Sequence, residues 1–228
     1  FNMMSLATFT FPLAWKTAVV SPLFKNCGSK DFPSNYRPVS LLPAIGKIMD
    51  HLQSTALLRH LTKHYLLSAH QFGFRPHMST TVQLTYVVDR WLQSLEKGHG
   101  ITAVFMDFHK AFDHVWHVGL LHKLGWYGVS PASLQWLESY LGERTLQVRV
   151  GASLSQPQRI SAGVPQGSHL GPVLFLVFVN DLPSSVNSIQ GDRKNLADFK
   201  SEFERISPQV VLDMIPLTEQ DAQDLVNR

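Results

Sequence analysis

The chain has 228 residues, 44% hydrophobic and 16% charged, with a formal net charge of +3. That length allows a sizeable buried core, and that balance excludes a disordered segment or a coiled coil. A single cysteine, Cys27, excludes an internal disulfide, the histidines lack the paired spacing of a zinc site, and the most apolar stretch, Pro172–Val179, is far short of the ~20 residues of a membrane span.

These features point to a globular chain in a reducing compartment, intracellular and either nuclear or cytoplasmic, with no membrane partner. The mild basicity makes nucleic acid a possible partner without requiring one. Charge is unevenly spread. Residues 1–190 carry 15 Lys and Arg against 9 Asp and Glu, a net of +6, whereas residues 191–228 carry a net of −3. The shift predicts a boundary near Gly191. The sequence starts at Phe1 without a basic leader and reads as a cut fragment, with 1–14 as an edge, 15–190 as the main domain and 191–228 as a separate tail.

In chain order, Ile45–His64 carries Ile48, Met49, Leu52 and Ala56 at helical spacing. Ser79–Lys97 predicts a second helix, with Leu84, Val87, Val88, Trp91, Leu92 and Leu95 on one stripe and Gly98 as its stop. Ile101–Phe108 is apolar on both faces, as expected of a central strand. His117–Leu124 and the segment from Ser130–Pro131 to Leu141 predict two more helices. Leu146, Val148 and Val150 alternate as a strand that a short strand at 158–161 could join. Leu170–Asp181 predicts a buried helix. In the tail, Leu196, Phe199, Phe203 and Ile206 predict an amphipathic acidic helix, and Thr218 opens another. The whole reads as α+β with an added helical tail.

The strand at 101–108 carries Asp107 near its end. A carboxylate there is costly unless its charge is compensated. Two readings stand: an N-cap or salt-bridged core aspartate, or a ligand for a hard divalent cation, which prefers carboxylate oxygens. Three other stretches supply context. "NYRPVSL" (Asn35–Leu41) reads as the end of a loop before the first helix. "SAHQFGFRPHMSTT" (Ser68–Thr81) sets Arg75 in a Gly/Pro loop. "AGVPQGSHLGPVLF" (Ala162–Phe175) sets Gln166 and Gly167 in a loop that enters an apolar helix. Singly, each has a reading as turn chemistry and capping.

Together, in this order, "WKTAVVSPLFK", "NYRPVSLL", "QFGFRPHMST", "FMDFHKAFDHVWH", "LGERTLQVRV" and "GVPQGSHLGPVLFLVFVNDLP" resemble successive blocks of the reverse transcriptase domain of non-LTR retrotransposons, the jockey-like, LINE-type elements. The resemblance runs from about Trp15 to Asn187. It implies a right-hand polymerase with fingers and palm, an RNA template, a DNA primer and a deoxynucleoside triphosphate. It implies that Asp107 binds magnesium in a two-metal site. Arg75 would contact the incoming triphosphate, a task suited to its fixed donor fork, and Phe112 would crowd the 2′-hydroxyl of ribonucleotides. Gln166 and Gly167 would line the nucleotide and template pocket. Lys110 and Asp113 are neighbours of that site.

The family expectation fails in one place. An Asp-Asp hairpin should follow "NDLP", and no Asp-Asp pair occurs in the chain. Asp198 in "LADF" stands at about the right distance, but "QGDRKN" before it is a poor buried strand, so the expectation is an unrelated helical tail, with a thumb missing. Two functions follow: an RNA-directed DNA polymerase domain without useful activity, or a non-catalytic RNA-binding remnant whose tail helix meets a protein partner.

Overall fold

The computed structural model describes residues 2–98, 101, 103–108, 110–182 and 210–215. It divides into two compact units, Phe1–Ser68 with Ala111–Asp181 and Ala69–Lys110 with Leu182–Arg228. The unit boundaries fall inside the span that the composition marked as one domain.

The first unit holds a five-stranded mixed sheet. It is built from β1 (Thr17–Phe24), β2 (Tyr36–Leu41), β4 (Arg144–Val150), β5 (Ser153–Leu154) and β6 (Gln158–Ile160). β1 lies between β2, which it pairs antiparallel, and β4, which it pairs parallel; β5 and β6 both pair antiparallel with β4. "NYRPVSL" is therefore mostly strand, where its composition predicts loop. The register explains how the prolines are tolerated. Pro22 stands opposite Pro38, past the last β1–β4 pair at Val20 and Val148, so the ladder loses little from their missing N–H groups.

Four helices cover the core of this unit: α2 (Ala44–Lys63), α4 (His117–Trp126), α5 (Pro131–Leu141) and α6 (Leu170–Val179). α6 packs against α2 and α4, and α4 against α5. Ser130 caps α5 by accepting from the Ser133 amide at 3.3 Å, and Pro131 sits at its first position. α6 is apolar all round because it is enclosed: Leu170, Leu174, Leu176 and Val177 are fully buried. On α2 the buried face is Gly46, Met49, Asp50, Ser54, Leu57 and Leu61, while Ile48 and Leu52 from the expected stripe are exposed.

A short N-terminal helix, α1 (Asn2–Ala7), leads to Phe11 and Trp15, which are buried in the same core. The Trp136 indole stacks on Tyr140 at 5.4 Å, meets Phe11 edge-on at 5.5 Å, and donates its N–H to Ser5 Oγ at 3.0 Å. The residues before position 15 thus enter the first unit's core.

Lys16, Asp50 and Arg144 are the buried charged side chains of this unit, and the last two meet at Tyr140. Asp50 accepts from the Tyr140 hydroxyl at 3.0 Å, and Arg144 donates to the Tyr140 carbonyl at 3.0 Å with its guanidinium 5.0 Å over the Tyr140 ring. Burial, reinforced by Asp50, pushes the Tyr140 phenol far above the ordinary 10.0. In the unfolded chain this phenol ionises near 10, whereas in the folded chain it stays protonated to higher pH. Stability from it is fully present below about pH 10 and falls above that, by about 1.4 kcal/mol per pH unit. Urea unfolding between pH 8 and 11 should show this slope only above about pH 10, and Tyr140→Phe should lose one proton's share of it; an unchanged slope would contradict the buried phenol.

In the second unit, α3 (Thr80–Glu96) starts at Ser79, whose hydroxyl accepts from the Val82 amide at 3.2 Å. None of its residues is buried, and Trp91 is half-buried. β3 (Ala103–Phe108) pairs antiparallel with β7 (Val210–Ile215), its one strand partner among the described residues. The described part of the tail, Val210–Ile215, is a strand lying between the two stretches expected to be helical: β-branched Val210 and Val211 suit a pleated surface, and β3 supplies the backbone partner. The stripe from Leu196 to Ile206, "LADF" and the helix expected after Thr218 lie outside the described residues.

Candidate active site

The loop between β6 and α6 is held by three distant parts of the first unit. The Val164 amide donates to the Phe112 carbonyl at 2.7 Å, and the Gly163 amide donates to the Val115 carbonyl at 2.9 Å. His117, at the start of α4, donates Nε2–H to the Gly163 carbonyl at 2.7 Å. The Ser40 amide of β2 donates to the Gln166 carbonyl at 3.3 Å. "NYRPVSL", "KAFDHVWH" and "GVPQGSHLGP", more than 40 residues apart in sequence, meet at this loop.

Two glycines make the meeting possible. Gly163 has φ +88, and a Cβ there would lie 2.7 Å from the Asp113 carbonyl oxygen and 2.8 Å from that of Phe112. Gly167 has φ +94, and a Cβ there would lie 3.1 Å from the Ser40 carbonyl oxygen. Both positions combine a left-handed backbone with close approach of another chain segment.

The expected site residues fall in both units. Phe112, Gln166 and Gly167 come together in the first. The half-buried Phe112 ring lies 5.1 Å from that of Phe175 on α6, while its carbonyl holds the loop. The Gln166 side-chain amide reaches Asp113 Oδ1 at 3.4 Å, so Asp113, noted in sequence only as a neighbour, touches the loop directly. Asp107 and Arg75 belong to the second unit. Arg75 donates Nη1–H to the Gln71 carbonyl at 3.2 Å within its own loop. Asp107 stands in β3 opposite Val211, and Asp213 stands in β7 opposite Phe105.

Sequence reasoning passed over Ser40, Asp50, His117 and Gly163. The one signal for Asp50 is its place in α2: a carboxylate in phase with Gly46, Ser54, Leu57 and Leu61, the face that turns out buried. Among the described residues, no group of three or more His, Cys, Asp or Glu stands where it could hold a metal ion. No described helix is long and apolar enough to cross a membrane.

Comparison with known proteins places this geometry. Residues 25–199 match the family described as reverse transcriptase (RNA-dependent DNA polymerase). The chain belongs to the reverse transcriptase family, and its mixed α+β architecture is compatible with the fingers and palm of such a polymerase.

Within that family it is a reverse transcriptase domain of the non-LTR retrotransposon kind. It is 40% identical over 179 residues to a probable RNA-directed DNA polymerase from transposon BS of Drosophila melanogaster, covering 76% of this chain and 19% of the relative. It is 39% identical over 189 residues to the RNA-directed DNA polymerase from mobile element jockey of the same species, covering 82% and 20%. A Pol polyprotein from the type-1 retrotransposable element R2 of Popillia japonica is 28% identical over 183 residues, covering 79% and 25%. The chain thus spans about a fifth to a quarter of the length of these relatives.

Proposed function

We propose that this chain is the fingers and palm of a template-directed polymerase that takes an RNA template, a DNA primer and a deoxynucleoside triphosphate, and that by itself it does not extend primers usefully. The observation that carries the polymerase reading is the loop at 163–169, pinned through backbone contacts to Phe112 and Ser40. A loop held on three sides can line a pocket without reordering when a ligand arrives, and phosphoryl transfer depends chiefly on such positioning. In this reading Gln166 and Gly167 line the nucleotide pocket, Phe112 crowds a 2′-hydroxyl, and Arg75 holds the triphosphate through its donor fork.

Magnesium would supply charge neutralisation at the attacking and leaving oxygens when bound. The carboxylates of the chain are a poor set for it. Asp107 is the one residue matched to a family metal ligand within a full motif, and no Asp-Asp pair follows. No step is therefore assigned to the metal, and a folded domain of this kind would retain nucleic-acid binding, weakened steeply by salt as phosphate contacts are. One observation favours a second reading. The family match runs to residue 199 and takes in "LADF", so Asp198 would be a degenerate second metal ligand.

Primer extension on an RNA template with magnesium, at high protein concentration, separates the readings. No extension by this chain or by Asp107→Ala is expected. Extension that vanishes in Asp107→Ala would sink the inactive reading, and the same loss in Asp198→Ala or Asp213→Ala would identify the carboxylate that completes the site.

A further inference from the structure

The loop has a fourth anchor, at its far end. Asp50 is 1% exposed, in the middle of α2, and each of its oxygens accepts from a backbone amide where the loop becomes α6. Oδ2 accepts from the His169 amide at 2.5 Å, and Oδ1 from the Leu170 amide at 3.2 Å. Oδ1 also accepts from the Tyr140 hydroxyl at 3.0 Å. A carboxylate with three donors is a strong, directional clamp, because bonds to an ionised acceptor are about twice as strong as neutral ones.

Ser168, between the loop and the helix, adds bonds of its own. Ser168 Oγ accepts from the Gly171 amide at 2.9 Å and donates to the Pro165 carbonyl at 2.8 Å, which shapes the turn, and its side chain also meets Tyr140. The other end of α6 is held separately. Asn180 accepts from the Ser68 amide at 2.8 Å and donates to the Leu66 carbonyl and the Tyr127 hydroxyl, both at 2.7 Å. Lys123 meets Asp181 at 2.7 Å. With that end held, the clamp at the N-terminal end of α6 sets where the loop ends.

We propose that Asp50 is the positioning residue of the nucleotide loop: by gripping the His169 and Leu170 amides from α2 it fixes the loop that presents Gln166 and Gly167. The proposal rests on the reading of that loop as nucleotide-facing. Asp50 itself is buried and touches no substrate. Its effect passes through two backbone amides, three and four residues after Gln166. The Tyr140 hydroxyl bonds the same carboxylate and its side chain also meets Ser168 of the loop, but it grips no backbone amide there, so Tyr140→Phe gives the comparison.

The test compares the whole chain with Asp50→Asn and Tyr140→Phe, well below their melting temperatures. The asparagine keeps the shape but replaces one acceptor oxygen with a donor that opposes a backbone amide. Hydrogen exchange over 163–170 should be about tenfold faster in Asp50→Asn and clearly less accelerated in Tyr140→Phe. Affinity for dATP in magnesium buffer, read by equilibrium dialysis, should fall about tenfold in Asp50→Asn and by clearly less in Tyr140→Phe. Unchanged loop exchange in Asp50→Asn, or equal acceleration in Tyr140→Phe, would overturn the proposal and leave Asp50 as one more core group. Should Asp50→Asn not fold, Asp50→Glu keeps both oxygens on a longer arm that must displace the loop, and unaltered exchange there overturns the proposal equally. A wild-type chain that binds no dATP refutes the nucleotide reading of the loop, while the exchange comparison still decides whether Asp50 holds it.

Discussion

Gly163→Ala is expected to destabilise the first unit by about 3 to 5 kcal/mol and to detach the candidate nucleotide loop from the segment carrying Phe112. The added methyl meets backbone on all sides: the Asp113 carbonyl oxygen at 2.7 Å, the Asp113 Cα at 2.8 Å and the Phe112 carbonyl oxygen at 2.8 Å. None of these atoms can swing away as the tip of a flexible side chain could. The backbone at φ +88 adds strain of its own in any non-glycine residue. Gly151 offers the comparison within the same unit, since its φ is +60 and a Cβ there has nothing within 4 Å. Gly151→Ala should cost only the backbone preference, about 1 kcal/mol. Urea unfolding of both variants isolates the clash, and a difference below about 1 kcal/mol between them would mean the loop is not seated against residues 112–113 as described.

Trp136→Ala is expected to cost about 3 to 5 kcal/mol, a large fraction of the 5 to 15 kcal/mol that holds a typical domain together. Trp136 is 1% exposed and joins three parts of the sequence: it stacks on Tyr140 of its own helix, meets Phe11 edge-on, and donates to Ser5 of α1. Truncation leaves a large cavity at the centre of α5 and removes the bond that ties the N-terminal helix down. Trp136→Phe keeps most of the packing and gives up the indole N–H, so it should cost clearly less. Thermal unfolding of the pair checks this. A Trp136→Ala loss below about 2 kcal/mol would mean that the N-terminal segment is not part of this core.

The helices were legible because their signals are local. Ser79 and Ser130 stand where capping hydroxyls are needed, and the observed starts of α3 and α5 follow them directly. The strands β1 and β2 were harder, because what makes them strands is each other. Arg37 and Pro38 look like loop until the register places Pro38 opposite Pro22 and Ser40 opposite Val20. The tail strand β7 has the same cause, since six residues carry little periodicity and its partner, β3, lies a hundred residues away.

What the residues determined by themselves was the family. The blocks around Asp107, Arg75, Phe112 and Gln166 are continuous stretches whose chemistry and order can be read without any contact map, and so is the lack of an Asp-Asp pair. The tertiary structure decided which polar groups are buried and what they hold. Asp50 and Arg144 look like ordinary surface charges in the sequence, and Ile48 and Leu52 look like core. Packing of α6 against α2 reverses both expectations, enclosing Asp50 and leaving the two apolar side chains exposed. A helix has one apolar stripe on average but is buried along the face its neighbours choose, and that choice is made by contacts more than a hundred residues apart, which no local pattern encodes.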